Sequence, residues 1–160
     1  MSPPAGWRRR WPKRSWGWLD PNSSGLLDAL GACYAFLGRP REAIEACRLA
    51  LRLDPRNPAN FWWHYHIAVA HFVAGDYADS LEESKREASL RPVLRCGIIW
   101  AAAAAALGKA DEAQTAVEYC LAQRNDLRVG NVVPGFIARF RRNEDHEKLL
   151  MLLRKAGLPE

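Results

Sequence analysis

His64 and His71 stand seven residues apart in "HYHIAVAH", a spacing that puts both imidazoles on one face of a helix, two turns apart. Two imidazoles so placed are the beginning of a metal site, but zinc needs three or four ligands. No third histidine, cysteine or carboxylate follows at a suitable spacing. The pair therefore reads as core or semi-buried histidines, and no metal is assigned. Cys33, Cys47, Cys96 and Cys120 are widely spread with no CxxC pair, which argues against a zinc knuckle and a dithiol redox motif. They read as structural thiols in half-buried helices, kept reduced in a cytoplasm, since free cysteine behaves as a small hydrophobe. No Ser-His-Asp ordering, glycine-rich phosphate loop or paired-carboxylate motif is recognisable, so no catalytic residue and no cofactor is assigned and the chain reads as non-catalytic.

The other cluster with chemistry in it is the start, "WRRRWPKRSWGW", where Arg8, Arg9, Arg10, Lys13 and Arg14 are interleaved with Trp7, Trp11, Trp16 and Trp18. Bases among aromatics can contact phosphates while stacking on nucleobases, or meet an anionic membrane surface. Pro3, Pro4 and Pro12 argue against a continuous amphipathic helix there. These five bases, set against Asp20, hold all but +1 of the net charge of +5. The rest of the chain is nearly neutral. Residues 1–20 are read first as a flexible arm or the remnant of a preceding element, with an anionic partner as the alternative and nucleic acid not favoured.

The elements that would position any site are helices. "IIWAAAAAALGKADEA", residues 98–113, is closed by Arg95 and Lys109, too short for the roughly 20 apolar residues that cross a hydrocarbon core. No signal segment opens the chain, and it reads as soluble. Alanine forms helices well and lets a neighbouring helix approach closely. The same pattern recurs three times, in "LLDALGACYAFLGRPREAIEACRLALRLDP", "HYHIAVAHFVAGDYADSLEESKREASLRP" and "GIIWAAAAAALGKADEAQTAVEYCLAQRN". In each, a glycine (Gly38, Gly75, Gly108) ends one apolar helical run and a second begins a few residues later. Such a period signals stacked helix-turn-helix units.

This spacing resembles the tetratricopeptide repeat, a pattern of about 34 residues with Leu-Gly and Tyr in the first helix, small residues in the second and a closing Pro. Leu30, Gly31, Tyr34, Ala43, Ala50 and Pro55 fit it, with Cys47 in place of an aromatic. In the second segment Ala68, Ser80 and Pro92 fit, but Glu87 stands where alanine is expected, so that helix should pack less closely. In the third, Trp100, Ala101, Ala113 and Cys120 fit, and Asn125 replaces the proline. His64 and His71 fall where the family places packing aromatics. The glycines at 38 and 75 are 37 apart and those at 75 and 108 are 33 apart. The excess of about three residues lies in "DPRNPANFWW", where an Asn57 cap and Pro58 in the first turn predict one extra helical turn, with a longer loop as the alternative. Pro21 keeps the phase 34 residues before Pro55, so the chain reads as starting inside a longer array.

"NEDHEKLLMLLRKAGLPE" has an Asn143 cap, acids in the first turn, Leu149, Leu150, Leu152 and Leu153, and Gly157 and Pro159 as stops. It predicts a terminal helix, which solenoids need to close their last repeat. "VGNVVPGFIARF" before it predicts a short helix. With "LGRPREAI" and "AHFVAGDY", this tail resembles the C-terminal repeat region of bacterial class III adenylate/guanylate cyclases and related transcriptional regulators, across roughly residues 19–160. The resemblance implies an all-α, right-handed α-solenoid of about three repeats (24–57, 58–93 and 94–126 within 21–126) and a capping segment at 127–160. It implies a protein or peptide partner held in the concave groove, or a detached regulatory module of a cyclase or transcription regulator.

On that geometry the exposed side of each first helix carries Asp28, then Trp62, Tyr65, His66, Val69 and Phe72, then Arg95 and Ile98. Large aromatics beside arginine are enriched at binding hot spots; the competing reading has these aromatics cover the terminal helix or a neighbouring repeat. The lysines and asparagines with which some relatives hold a peptide carboxylate are missing. With its preceding repeat absent, the first helix should expose Leu26, Leu27 and Leu30, a face for self-association.

Overall fold

The structure is a computed structural model, and it describes residues 23–136 and 140–160. Among them the chain is helical throughout, without strands: α1 (Ser24–Phe36), α2 (Pro40–Leu53), α3 (Asn60–Ala74), α4 (Tyr77–Leu90), α5 (Leu94–Ala106), α6 (Ala110–Gln123), α7 (Val129–Phe136) and α8 (Asn143–Lys155). Each helix from α1 to α5 packs on the next in sequence, and α3 also meets both α1 and α5. The result is a stack of three antiparallel helix pairs, an α-solenoid with α1, α3 and α5 forming its inner layer. The basic arm and Ile137, Ala138 and Arg139 lie outside the described residues.

The turns within the pairs are built alike. Gly38, Gly75 and Gly108 have φ of 77°, 88° and 73°, a left-handed backbone that costs glycine little and lets each chain reverse after one helix. The link between the first and second pairs differs from the expectation. The extra residues form a longer connection, 54–59, where the next link is only 91–93. Asn57 does not cap α3, and Pro58 lies outside its first turn. Instead the Asn57 amide donates to the Asp54 carboxylate at 2.7 Å while its side-chain oxygen accepts from the Ala59 N–H at 2.8 Å. Asparagine's capacity to bond backbone two residues on favours this turn over a helix start.

The alanine run is the interior of the molecule. Residues 96–105 of α5 are all buried, as are Trp63 and residues 65–73 of α3. A helix apolar on every side belongs where it is surrounded on every side. Here α3 is flanked by α1, α2, α4 and α5, and α5 by α3, α4, α6 and α8.

The C-terminal segment supplies the missing cover. Phe140 packs edge-on against Phe36 at the end of α1, and the Arg141 N–H donates to the Phe36 carbonyl at 2.8 Å. Arg142 then lies over the Gly38 turn and forms a two-pronged pair with fully buried Asp145, at 2.7 and 2.8 Å. From there α8 packs on α5, burying Leu149, Leu152 and Leu153. Past Gly157 the chain returns to α7, where Val129 N–H donates to the Pro159 carbonyl at 2.7 Å. The tail therefore runs from the end of α1 to α5 and the start of α7. No helix among the described residues is long and apolar enough to cross a membrane.

Candidate partner-binding groove

Packing within the stack decides where the residues of the expected groove lie. Tyr65, Val69, Phe72 and Ile98 are at most 3% exposed and His66 is 5% exposed. The expectation that they face outward is corrected: Tyr65, Val69, Phe72 and Ile98 belong to the continuous core that also takes in the leucines of α8, and His66 is buried against Phe36 of α1. Asp28, Trp62 and Arg95, each near the N-terminal end of its helix, remain partly accessible. Asp28 is engaged by His66, Nδ1 to Oδ1 at 2.9 Å. On the first-pair face Leu27 is buried, Leu26 half-buried, and Leu30 and Leu37 exposed.

Trp62 and Arg95 border an open cleft of about 530 Å³ whose other walls are Pro92, Val93, Leu94, Gln123 and Arg124. The Arg95 guanidinium lies over the Trp62 ring at 5.5 Å, and Arg91 lies over Phe61 at 5.0 Å. Phe61 and Trp62 are themselves 4.9 Å apart. The four side chains form a row of cation, ring, ring and cation that reaches the cleft at Trp62 and Arg95, each cation attracted to the electron-rich face of its ring. Sequence reading pointed to Trp62 and Arg95 but missed Phe61, Arg91, Gln123 and Arg124. The signal for the first two was available, in the three-aromatic run "FWW" and in an arginine at the repeat boundary.

Tyr119 fixes the cleft wall. Its hydroxyl accepts from the Val93 N–H at 3.0 Å and lies 3.3 Å from the carbonyls of Ala88 and Arg91. Burial pushes its phenol above the usual range, so it stays a neutral donor and acceptor. The short link 91–93 is thereby held in place.

The histidines are used structurally. His64 Nδ1 is 2.9 Å from the Glu83 carboxylate, and this bond holds the Glu83 pKa below its ordinary range. His71 lies within 3.7 Å of Asp76 and 3.9 Å of Asp79. No group of three or more metal-ligating side chains occurs among the described residues.

Comparison with known proteins places one family signature on this frame. No curated protein matches the chain. Residues 24–57, the pair α1–α2 with its outgoing turn, match the tetratricopeptide repeat family model, and the two helix pairs stacked on it continue the same helix-turn-helix architecture.

Proposed function

We propose that the chain is a non-catalytic scaffold that binds a protein segment at the open end of its inner layer, in the cleft between Trp62 and Arg95. A repeat of this family at residues 24–57 supports a protein-binding role in general terms. The observation that carries the finer reading is the division of the inner layer. The end of α1 and part of α5 are covered by the chain's own tail, whereas Trp62 and Arg95 stay accessible beside a cleft with a fixed wall.

The test is selection of ligands from displayed random peptides, followed by binding measurements on two variants. Trp62→Ala should weaken binding by about tenfold or more, the scale of a hot-spot aromatic, with thermal stability nearly retained. Tyr65→Ala should instead lower stability. Peptides that bind Trp62→Ala as well as the parent would sink the placement of the site.

A further inference from the structure

We infer that the ligand of this cleft is an acidic peptide segment in which a glutamate or aspartate lies close to a bulky apolar side chain; this rests on the scaffold reading above. The row of cations and rings leaves hydrogen-bonding capacity unused at its two ends. A guanidinium stacked on a ring spends its flat face, while its N–H groups point outward in the plane and remain free to hold a carboxylate in a two-pronged bond. Among the described residues neither Arg91 nor Arg95 is within ion-pair distance of a carboxylate, whereas Arg124 in the same cleft is paired with Asp126 at 3.1 Å. Arg95 thus borders an apolar floor of Trp62, Val93 and Leu94, and Arg91 lies one ring further along, over Phe61, which is 4.9 Å from Trp62.

Charge complementarity then selects the occupant. The floor takes an apolar side chain and the two guanidiniums take carboxylates within a few residues of it. A nucleic acid strand needs a basic track over many phosphates, and outside residues 1–20 the chain carries a net charge of only +1. Because Tyr119 already holds the 91–93 wall, little ordering cost is added on binding.

The experiment uses the full chain against displayed random twelve-residue peptides, with labelled dodecauridylate as a parallel probe. Selected peptides should place Asp or Glu within about four residues of Leu, Phe or Trp, and binding should weaken as salt rises, since partly exposed charges are screened. Arg95→Glu and Arg91→Glu should each reduce binding by about tenfold or more, Arg95→Lys by less, and replacing the peptide's acids by their amides should reproduce the loss. Arg95→Gln removes the charge without reversing it, and the thermal transition of each variant separates lost binding from lost folding. Peptides that bind Arg91→Glu and Arg95→Glu undiminished, or that bind equally well as amides, overturn the inference and leave the scaffold reading standing. Tighter binding of dodecauridylate than of any peptide, lost in Arg95→Glu, overturns it in favour of nucleic acid. If no peptide is selected at all, the scaffold reading and the inference fall together.

Discussion

Phe140 sets its ring edge-on to Phe36, centroids 5.2 Å apart and planes at 72°, and so ties the segment that leads into α8 to the end of α1. The two residues are separated by the whole stack in sequence, and both are buried. Removing the ring should leave a cavity at the point where the tail is anchored. Phe140→Ala is expected to cost about 3–5 kcal/mol, read by urea unfolding. Amide exchange in α8 should quicken more than exchange in α4. Equal acceleration everywhere would mean that the tail has no separate anchorage.

Gly31 lies so close to α2 that a Cβ there would collide with the Cys47 sulfur. On an exposed helix, Gly→Ala stabilises by about 1 kcal/mol. Here the sign should reverse, Gly31→Ala costing about 1–3 kcal/mol through overpacking. The double variant Gly31→Ala with Cys47→Ala should recover most of the loss, and that coupling is the measurement that tests the close approach. Additive effects of the two substitutions would contradict it.

The stack was legible because local signals agreed with packing. Gly38, Gly75 and Gly108 are turn residues by conformation, and the small residues Ala43, Ala68, Ala101 and Ala113 are all buried. What sequence could not give was occupancy. Leucine periodicity in residues 143–155 predicts a helix but carries no information on which surface receives it. Tyr65, Val69 and Phe72 therefore left two readings open, a groove wall or cover for the terminal helix or a neighbouring repeat, and they are core. The 54–59 link failed for a different reason: asparagine before proline serves a turn as readily as a helix start, and the side-chain bonds of Asn57 decide between them.

Glu87 occupies the position where Ala50 and Cys120 stand in the other pairs, and it is buried. Burial raises its pKa, partly opposed by the charges of His64 and Arg86. A carboxyl whose pKa is raised on folding favours the fold while protonated, so its contribution is full below the ordinary glutamate range and declines as pH rises through the raised value. Glu87→Gln should increase the melting temperature at pH 7–8 by about 2–4 °C, roughly what 1 kcal/mol is worth in a chain of this size. The gain should vanish near pH 4. Glu83, held low by His64, has the opposite sign: Glu83→Gln should lower stability at neutral pH, and that loss should fade as pH falls below the ordinary glutamate range. Equal shifts at all pH values would show that neither charge matters to folding.

Thiol chemistry gives the last test, because the four cysteines occupy two kinds of environment. Cys33 is exposed on α1, whereas Cys47, Cys96 and Cys120 are buried at helix contacts. Burial pushes each of those three thiols up to about 12. Thiolate is the reactive form, and at pH 8 a thiol of pKa about 12 is ionised to roughly one part in ten thousand. A disulfide reagent at pH 8 should therefore label one thiol rapidly in the native protein and four in denaturant, with Cys33→Ser removing the rapid phase. The slow labelling of the other three reports opening of the helix contacts, so Phe140→Ala should accelerate it by weakening the cover over α5. If more than one thiol reacts rapidly in the native protein, the contacts at Cys47, Cys96 or Cys120 open far more often than a packed stack allows.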